Sequence, residues 1–250
     1  MKRLFLLVSA ALLSLNMFAG EQGDDNGFEI KLFAGFASAE KYGTKELKTN
    51  IYGHEVKGQE IILPGLHKTP TLGMALGSRW YVANPGSFGI GIQARWIDFS
   101  FTHKEWDMYE YKKGVYGAKE TNNFVNVGVF GPGVVGTFYL NDKMAVDAYY
   151  NFVPTLMITK DKFEYESDFL TYKGSGFTEK EDEANFGLGI SHFFGAAFRY
   201  SVFQVGVEYN IAKLKGMDWG SDDEGESTLE DLTVTKYNMN NFRVFVGFKF

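Results

Sequence analysis

Hydrophobic residues recur at every second position along most of this chain, and glycines and polar residues hold the positions between them. Period two marks a pleated strand with one face in an apolar medium, because successive side chains point to opposite sides. Eight segments carry the pattern. The first, about 27–37, puts Phe28, Ile30, Leu32, Ala34 and Phe36 opposite Glu29, Lys31, Phe33 and Gly35. The second, about 70–82, sets Leu72, Met74, Leu76 and Trp80 against Gly73, Ala75, Gly77 and Arg79. In the third, about 87–101, Phe88, Ile90, Ile92, Ala94 and Trp96 oppose Gly89, Gly91, Gln93 and Arg95. The fourth, about 122–140, sets Val125, Val127 and Val129 against Asn126, Gly128 and Phe130. Its alternation slips through GPGVVG, where Pro132 marks an expected bulge. The fifth, about 143–158, opposes Met144, Val146, Ala148, Tyr150 and Phe152 to Asp147, Tyr149 and Asn151. The sixth, about 184–199, opposes Phe186, Leu188 and Ile190 to Asn185, Gly187, Gly189 and Ser191. The seventh puts Phe203, Val205, Val207, Tyr209 and Ile211 opposite Gln204, Gly206, Glu208 and Asn210. In the eighth, NFRVFVGFKF, Phe242, Val244, Val246, Phe248 and Phe250 alternate with Asn241, Arg243, Gly247 and Lys249.

The connections alternate between long polar segments and tight turns such as ANPGS and Asn141-Asp142. Strands joined by tight turns are antiparallel neighbours, so the pattern predicts an all-β, up-and-down meander of eight strands. Loop one is long enough to hold a further hairpin, which would give ten.

Alternation does not say which face is inside; side-chain volume does. The polar faces hold nine strand glycines, among them Gly73, Gly128 and Gly206, whereas the apolar faces are bulky almost throughout. An eight-stranded barrel has room inside only for a filling of side chains, and the bulky faces would overfill it. They must point outward. Water does not tolerate that much apolar surface, so the expected solvent is lipid. A soluble, lipocalin-like barrel is excluded on these grounds. Trp80, Phe88, Tyr139, Tyr200, Phe203 and Phe250 fall together at the turn end, as an interfacial aromatic girdle would. By strict counting His192 lands on the lipid face, where a bulge or a misread sixth strand would account for it.

Composition supports this picture: 24 Phe, 14 Tyr and 29 Gly stand beside 5 Pro. A net charge of −6 with no basic stripe excludes nucleic-acid binding. There is no cysteine, hence neither disulfides nor a lipoprotein anchor. Lys2 and Arg3, the apolar run Leu4–Leu13 and the small residues Ala19 and Gly20 read as a cleaved signal peptide over 1–20, leaving 21–250 as the barrel domain.

Alternating apolar residues that close on Phe250 resemble the C-terminal signal by which bacterial outer-membrane barrels are recognised for assembly, although the glycine spacing differs. Phe242, Val244, Val246, Phe248 and Phe250 carry that resemblance. As architecture, residues 21–250 resemble the small eight-stranded outer-membrane proteins of the OmpA/OmpX/OmpW type. The resemblance implies the outer membrane of a didermic bacterium, long loops outside, short turns in the periplasm, and a monomer. It also implies outer-membrane lipid, the barrel-assembly machinery and periplasmic chaperones as partners, with host or surface ligands at the loops.

Candidate chemistry is sparse. Glu29, Lys31, Arg79, Arg95, Asp147, Glu208, Arg243 and Lys249 fall on the lumen face. Isolated buried charges are costly, so pairing is expected, with Glu208–Arg243 and Glu29–Lys249 as the nearest cross-strand candidates. Such a set either fills and specifies the core or gates a narrow, porin-like conduit for small or hydrophobic solutes. The acidic segment DWGSDDEGESTLED fails the EF-hand register, because Gly220 would occupy the first ligand position; no metal or cofactor is expected. Of His54, His67, His103 and His192 the first three fall in or beside loops, and Ser100 with His103 is the pair to weigh for a lipid-modifying enzyme. No motif surrounds that pair, and catalysis is not expected. The leading expectation is a structural and surface-interaction protein acting through its loops. Their segments NIYGHEVKG, DMYEYKKGVYGAK and FLTYKGSGF, rich in β-formers around glycine, would extend the hairpins beyond the membrane and offer edges to partner strands.

Overall fold

The computed structural model describes residues 26–38, 43–47, 49–51, 54–56, 60–62, 66, 68–83, 86–107, 118–166, 178–217 and 232–250. The expected signal peptide lies outside them. Eight long strands build the wall: β1 (Gly27–Ala37), β2 (Thr69–Ala83), β3 (Phe88–Asp107), β4 (Ala118–Asn141), β5 (Met144–Glu166), β6 (Thr178–Tyr200), β7 (Phe203–Met217) and β8 (Asn241–Lys249). Each pairs antiparallel with its sequence neighbours, and β8 pairs with β1, Glu29 facing Lys249 and Ala37 facing Asn241. The ring is closed. Reciprocal bonds of 3.0 and 2.8 Å between the backbones of Phe28 and Phe250 extend the seam to its end.

At the turn end, the Asn141 side chain accepts from the amides of Lys143 and Met144, both at 2.9 Å, which fixes the β4–β5 turn. Adjacent turns are tied together: Ser201 donates to Lys143 at 2.7 Å and Lys249 to Val202 at 2.7 Å.

At the other end the wall is taller than the sequence pattern implies, because pairing continues where hydrophobic alternation stops. Strands β3 to β6 all run past their expected loop-side limits. Leu232–Asn238 pairs with β7 on the line of β8, Gly43–Leu47 pairs with that segment, and Glu60–Ile62 pairs with Gly43–Leu47. Loop one does contain a hairpin, Thr49–Ile51 with His54–Val56, yet it adds no stave to the ring. Eight strands, not ten, close the barrel.

Large apolar side chains stand outward all round the ring; Leu32 is 56% exposed, Leu72 60% and Ile92 51%. Glycines, charges and a few aromatics face in. Two corrections apply to the assignment of faces. Phe130, expected inside, is 71% exposed, because it forms the bulge itself: its φ is 51°, and the β4–β5 register shifts between Gly128 and Gly133. The bulge thus precedes Pro132 by two residues. Tyr139, assigned to the outer girdle, lies instead on the inner face, over Gly89.

A second bulge matters more. In β3 both Trp96 and Ile97 are exposed, and the β2–β3 register shifts between Leu76 and Gly77. Beyond it the phase reverses, so Asp98, Ser100 and Thr102 point into the lumen and Phe99 and Phe101 into lipid.

Candidate functional site

The barrel interior is the obvious place to look for chemistry. All eight lumen charges expected from the sequence are buried, and two more join them, Asp98 from β3 and Arg199 from β6. Nine of the ten form one chain of alternating sign. Starting near the turn end, Arg199 reaches Asp147 at 3.4 Å, and Asp147 meets Arg79 at 2.6 Å. Arg79 then holds Glu29 at 2.9 Å, and Glu29 meets Lys31 at 3.2 Å. Lys31 lies 3.2 Å from Glu208, and Glu208 takes Arg95 at 2.5 Å. Arg95 meets Asp98 at 2.8 Å, and Asp98 accepts from Arg243 at 2.9 Å. The partners come from β1, β2, β3, β5, β6, β7 and β8, so the chain braces the wall across its diameter.

Hydroxyls and rings complete the filling. Tyr149 donates to Glu208 at 2.6 Å and accepts from Lys31 at 3.1 Å; Thr137 donates to Asp147 at 2.7 Å. Cations also rest on aromatic faces: Arg243 on Phe33 at 4.0 Å, Arg95 on Phe193 at 4.2 Å and Lys31 on Tyr149 at 4.1 Å. Lys249 lies over Tyr81 at 5.2 Å.

The nearest-neighbour pairings were the wrong ones. Glu208 and Arg243 do face each other across the β7–β8 ladder. Glu208 nevertheless goes to Arg95 and Lys31, and Arg243 goes to Asp98. Glu29 turns to Arg79 and Lys31 rather than being reserved for Lys249. In so narrow a lumen a long side chain spans to distant strands, so register across a ladder does not decide its partner. Asp98 was missed because strict counting from Arg95 sends it to lipid. The consecutive apolar pair Trp96-Ile97, followed by Asp98-Phe99-Ser100-Phe101, was the available signal. Arg199 keeps the inward parity of Ser191 and could have been found by extending the count.

Above the ion pairs lies a neutral polar layer, with Thr71 bonded to Thr102 at 2.8 Å and Thr155 to Ser191 at 2.8 Å. Above that is an apolar plug of Leu66, Phe124, Met157, Leu214, Tyr237 and Met239. Leu66 is delivered from loop one by a tight turn: Thr69 donates to the Leu66 carbonyl at 2.9 Å, and Lys68 is left-handed, with φ of 62°. Nothing in the hydrophobic pattern distinguished Leu66 from its loop neighbours.

Ser100 and His103 form no common site. Ser100 is fully buried in the lumen beside Asn126, whereas His103 is exposed on the outer face, bonded to Asn123 at 2.8 Å. Their separation of three residues places them on opposite faces of β3. His192 does stand on the lipid face, with no bulge and strand six correctly read. Its Nδ1 lies 2.8 Å from the Tyr150 hydroxyl, and the rings stack at 6.1 Å. His54, His67 and the acidic segment 218–231 fall where no side chain is described.

No protein-family model matches the chain, and no curated protein does. Solved structures resemble it in fold. The attachment invasion locus protein Ail of Yersinia pestis, in complex with the heparin analogue sucrose octasulfate, is 14% identical with a TM-score of 0.33, over 89% of this chain and 99% of Ail. Neisserial surface protein A is 7% identical with a TM-score of 0.31, over 89% of this chain and 97% of its own. The TodX deltaS2S3 mutant, a monoaromatic hydrocarbon channel, is 10% identical with a TM-score of 0.28, over 90% of each chain. The ring of eight strands, its closed register and its apolar outer surface establish the architecture independently of these likenesses. By that geometry the chain is an eight-stranded transmembrane β-barrel.

Proposed function

We propose that this protein resides in the outer membrane of a didermic bacterium and works as a rigid, closed anchor for the strands and loops beyond its loop end. The observation that carries the reading is a lumen filled along its height, first by ion pairs and rings, then by neutral polar groups, then by the Leu66 plug. A barrel packed in this way spends its interior on stability. Recognition is left to the segments outside the membrane, which are the surfaces available to host or environmental ligands. The charge chain Glu29, Lys31, Arg79, Arg95, Asp147, Glu208 and Arg243, joined by Asp98 and Arg199, then has a structural role. The run Phe242, Val244, Val246, Phe248 and Phe250 would serve recognition by the assembly machinery.

A narrow channel is the second reading, favoured by one observation. The plug residue Leu66 belongs to loop one rather than to the wall, so withdrawing that segment would loosen the stopper that Phe124, Met157 and Leu214 complete from the wall. Single-channel recording on refolded protein in planar bilayers tests both. The anchor reading expects no steady conductance. Stable, reproducible steps that grow when Leu66 is replaced by glycine would replace it with the channel.

A further inference from the structure

Among the described residues the outer surface of the barrel carries a basic patch that neither the filled lumen nor the apolar belt explains. On β7 the lipid-facing series Phe203, Val205, Val207, Tyr209 and Ile211 is followed in the same phase by Lys213 and Lys215, both exposed. From Phe203 to Ile211 is about 26 Å of strand. At a tilt of ~40° that makes a band about 20 Å tall, close to the apolar height of a membrane barrel. Lys213 therefore stands where acyl chains give way to headgroups, and Lys215 just beyond.

The ladder brings further groups to the same place. Lys215 faces Lys236 directly across β7 and the Leu232–Asn238 segment, and Lys236 is also exposed. Two lysines directly opposed repel each other. Among the described residues no carboxylate pairs with Lys213, Lys215 or Lys236. In a chain of net charge −6 such an uncompensated cluster runs against the overall balance. On the β6 side Ile190 faces Lys213, Leu188 faces Lys215 and His192 faces Ile211. These residues line a groove of about 440 Å³, apolar along its floor and basic at its upper end.

We propose that the groove between β6 and β7 holds one phosphate-bearing anionic lipid of the leaflet at the loop end. Its acyl chain lies along Leu188, Ile190 and Ile211, and its phosphate bridges Lys213, Lys215 and Lys236. The anion relieves the repulsion between opposed lysines, and the apolar floor favours a lipid over a free phosphate. The inference rests on the membrane-barrel reading.

The test uses refolded residues 21–250 in nanodiscs of phosphatidylcholine with a minor share of phosphatidylglycerol. Native mass spectrometry then counts the lipids that stay bound when the barrel is released. The wild type should retain one phosphatidylglycerol in preference to phosphatidylcholine. A combined Lys213→Ala, Lys215→Ala, Lys236→Ala variant should retain roughly tenfold less. The corresponding triple arginine variant should restore retention, and Lys143→Ala at the turn end should change nothing. Equal retention by the triple alanine variant, or no preference in the wild type, overturns the proposal. So does displacement of the lipid by millimolar inorganic phosphate. Heat-modifiable migration of each variant separates the two levels: a barrel that inserts without choosing an anionic lipid sinks this inference alone, whereas a chain that never inserts sinks the membrane reading.

Discussion

Glu208 shows how much one buried side chain carries in this protein. It takes Arg95, Lys31 and the Tyr149 hydroxyl at once, and it is almost inaccessible to solvent. Glu208→Ala would leave Lys31 with Glu29 alone and Arg95 with Asp98 alone, and breaking a buried pair costs about 3–5 kcal/mol. The urea midpoint of the folded, fast-migrating gel band should fall accordingly, and Glu208→Gln, which keeps an acceptor, should lose less. A Cβ at Gly195 would overlap the Tyr149 ring that lies against Glu208. Gly195→Ala should therefore cost roughly 1–3 kcal/mol through overpacking, read by the same midpoint. On the outside, Tyr150→Phe removes the partner of His192 on the lipid face, for a loss of about 1–2 kcal/mol. Sequence parity put the expected lumen charges on the inner face, yet it could not choose their partners. Parity fixes which side a residue faces, whereas reach across a lumen is a property of the closed ring.

Strands are legible where their two faces meet different solvents. The apolar belt of each strand was read from alternation, and β1, whose length barely exceeds the belt, matches its expected span. The upper parts of β3 to β6 were foreshadowed only by β-forming residues around glycine, as in DMYEYKKGVYGAK. Their extent was not legible, because both faces there meet water and the pairing rests on backbone hydrogen bonds that impose no apolar pattern. Bulges are the other blind spot. The one in β3 reverses the phase and delivers Asp98 to Arg95 and Arg243. Inserting one residue between Asp98 and Phe99 would exchange the faces of the loop-end half, sending Ser100 and Thr102 towards lipid while drawing Phe99 and Phe101 inward. A strand with its faces exchanged has no stable place in the wall. The expected result is loss of the heat-modifiable band, whereas Ile97→Val should keep it.

At the scale of the whole molecule, the outward apolar surface dictates what the protein requires from its surroundings. Residues 21–250 refolded without detergent or lipid should aggregate. A dispersed, folded monomer by size-exclusion chromatography and circular dichroism would reverse the assignment of inside and outside. The seam between β1 and β8 carries a further consequence. It joins segments about two hundred residues apart, as Glu29 facing Lys249 shows, so it is among the most non-local contacts in the chain. Every hairpin can form from near neighbours, but the sheet they make keeps two raw borders until the first and final staves meet, and hydrocarbon does not forgive a raw border. Insertion should accordingly be all-or-none: a pulse-chase experiment should find closed barrels and unassembled chains, with no population of half-built arcs in the bilayer.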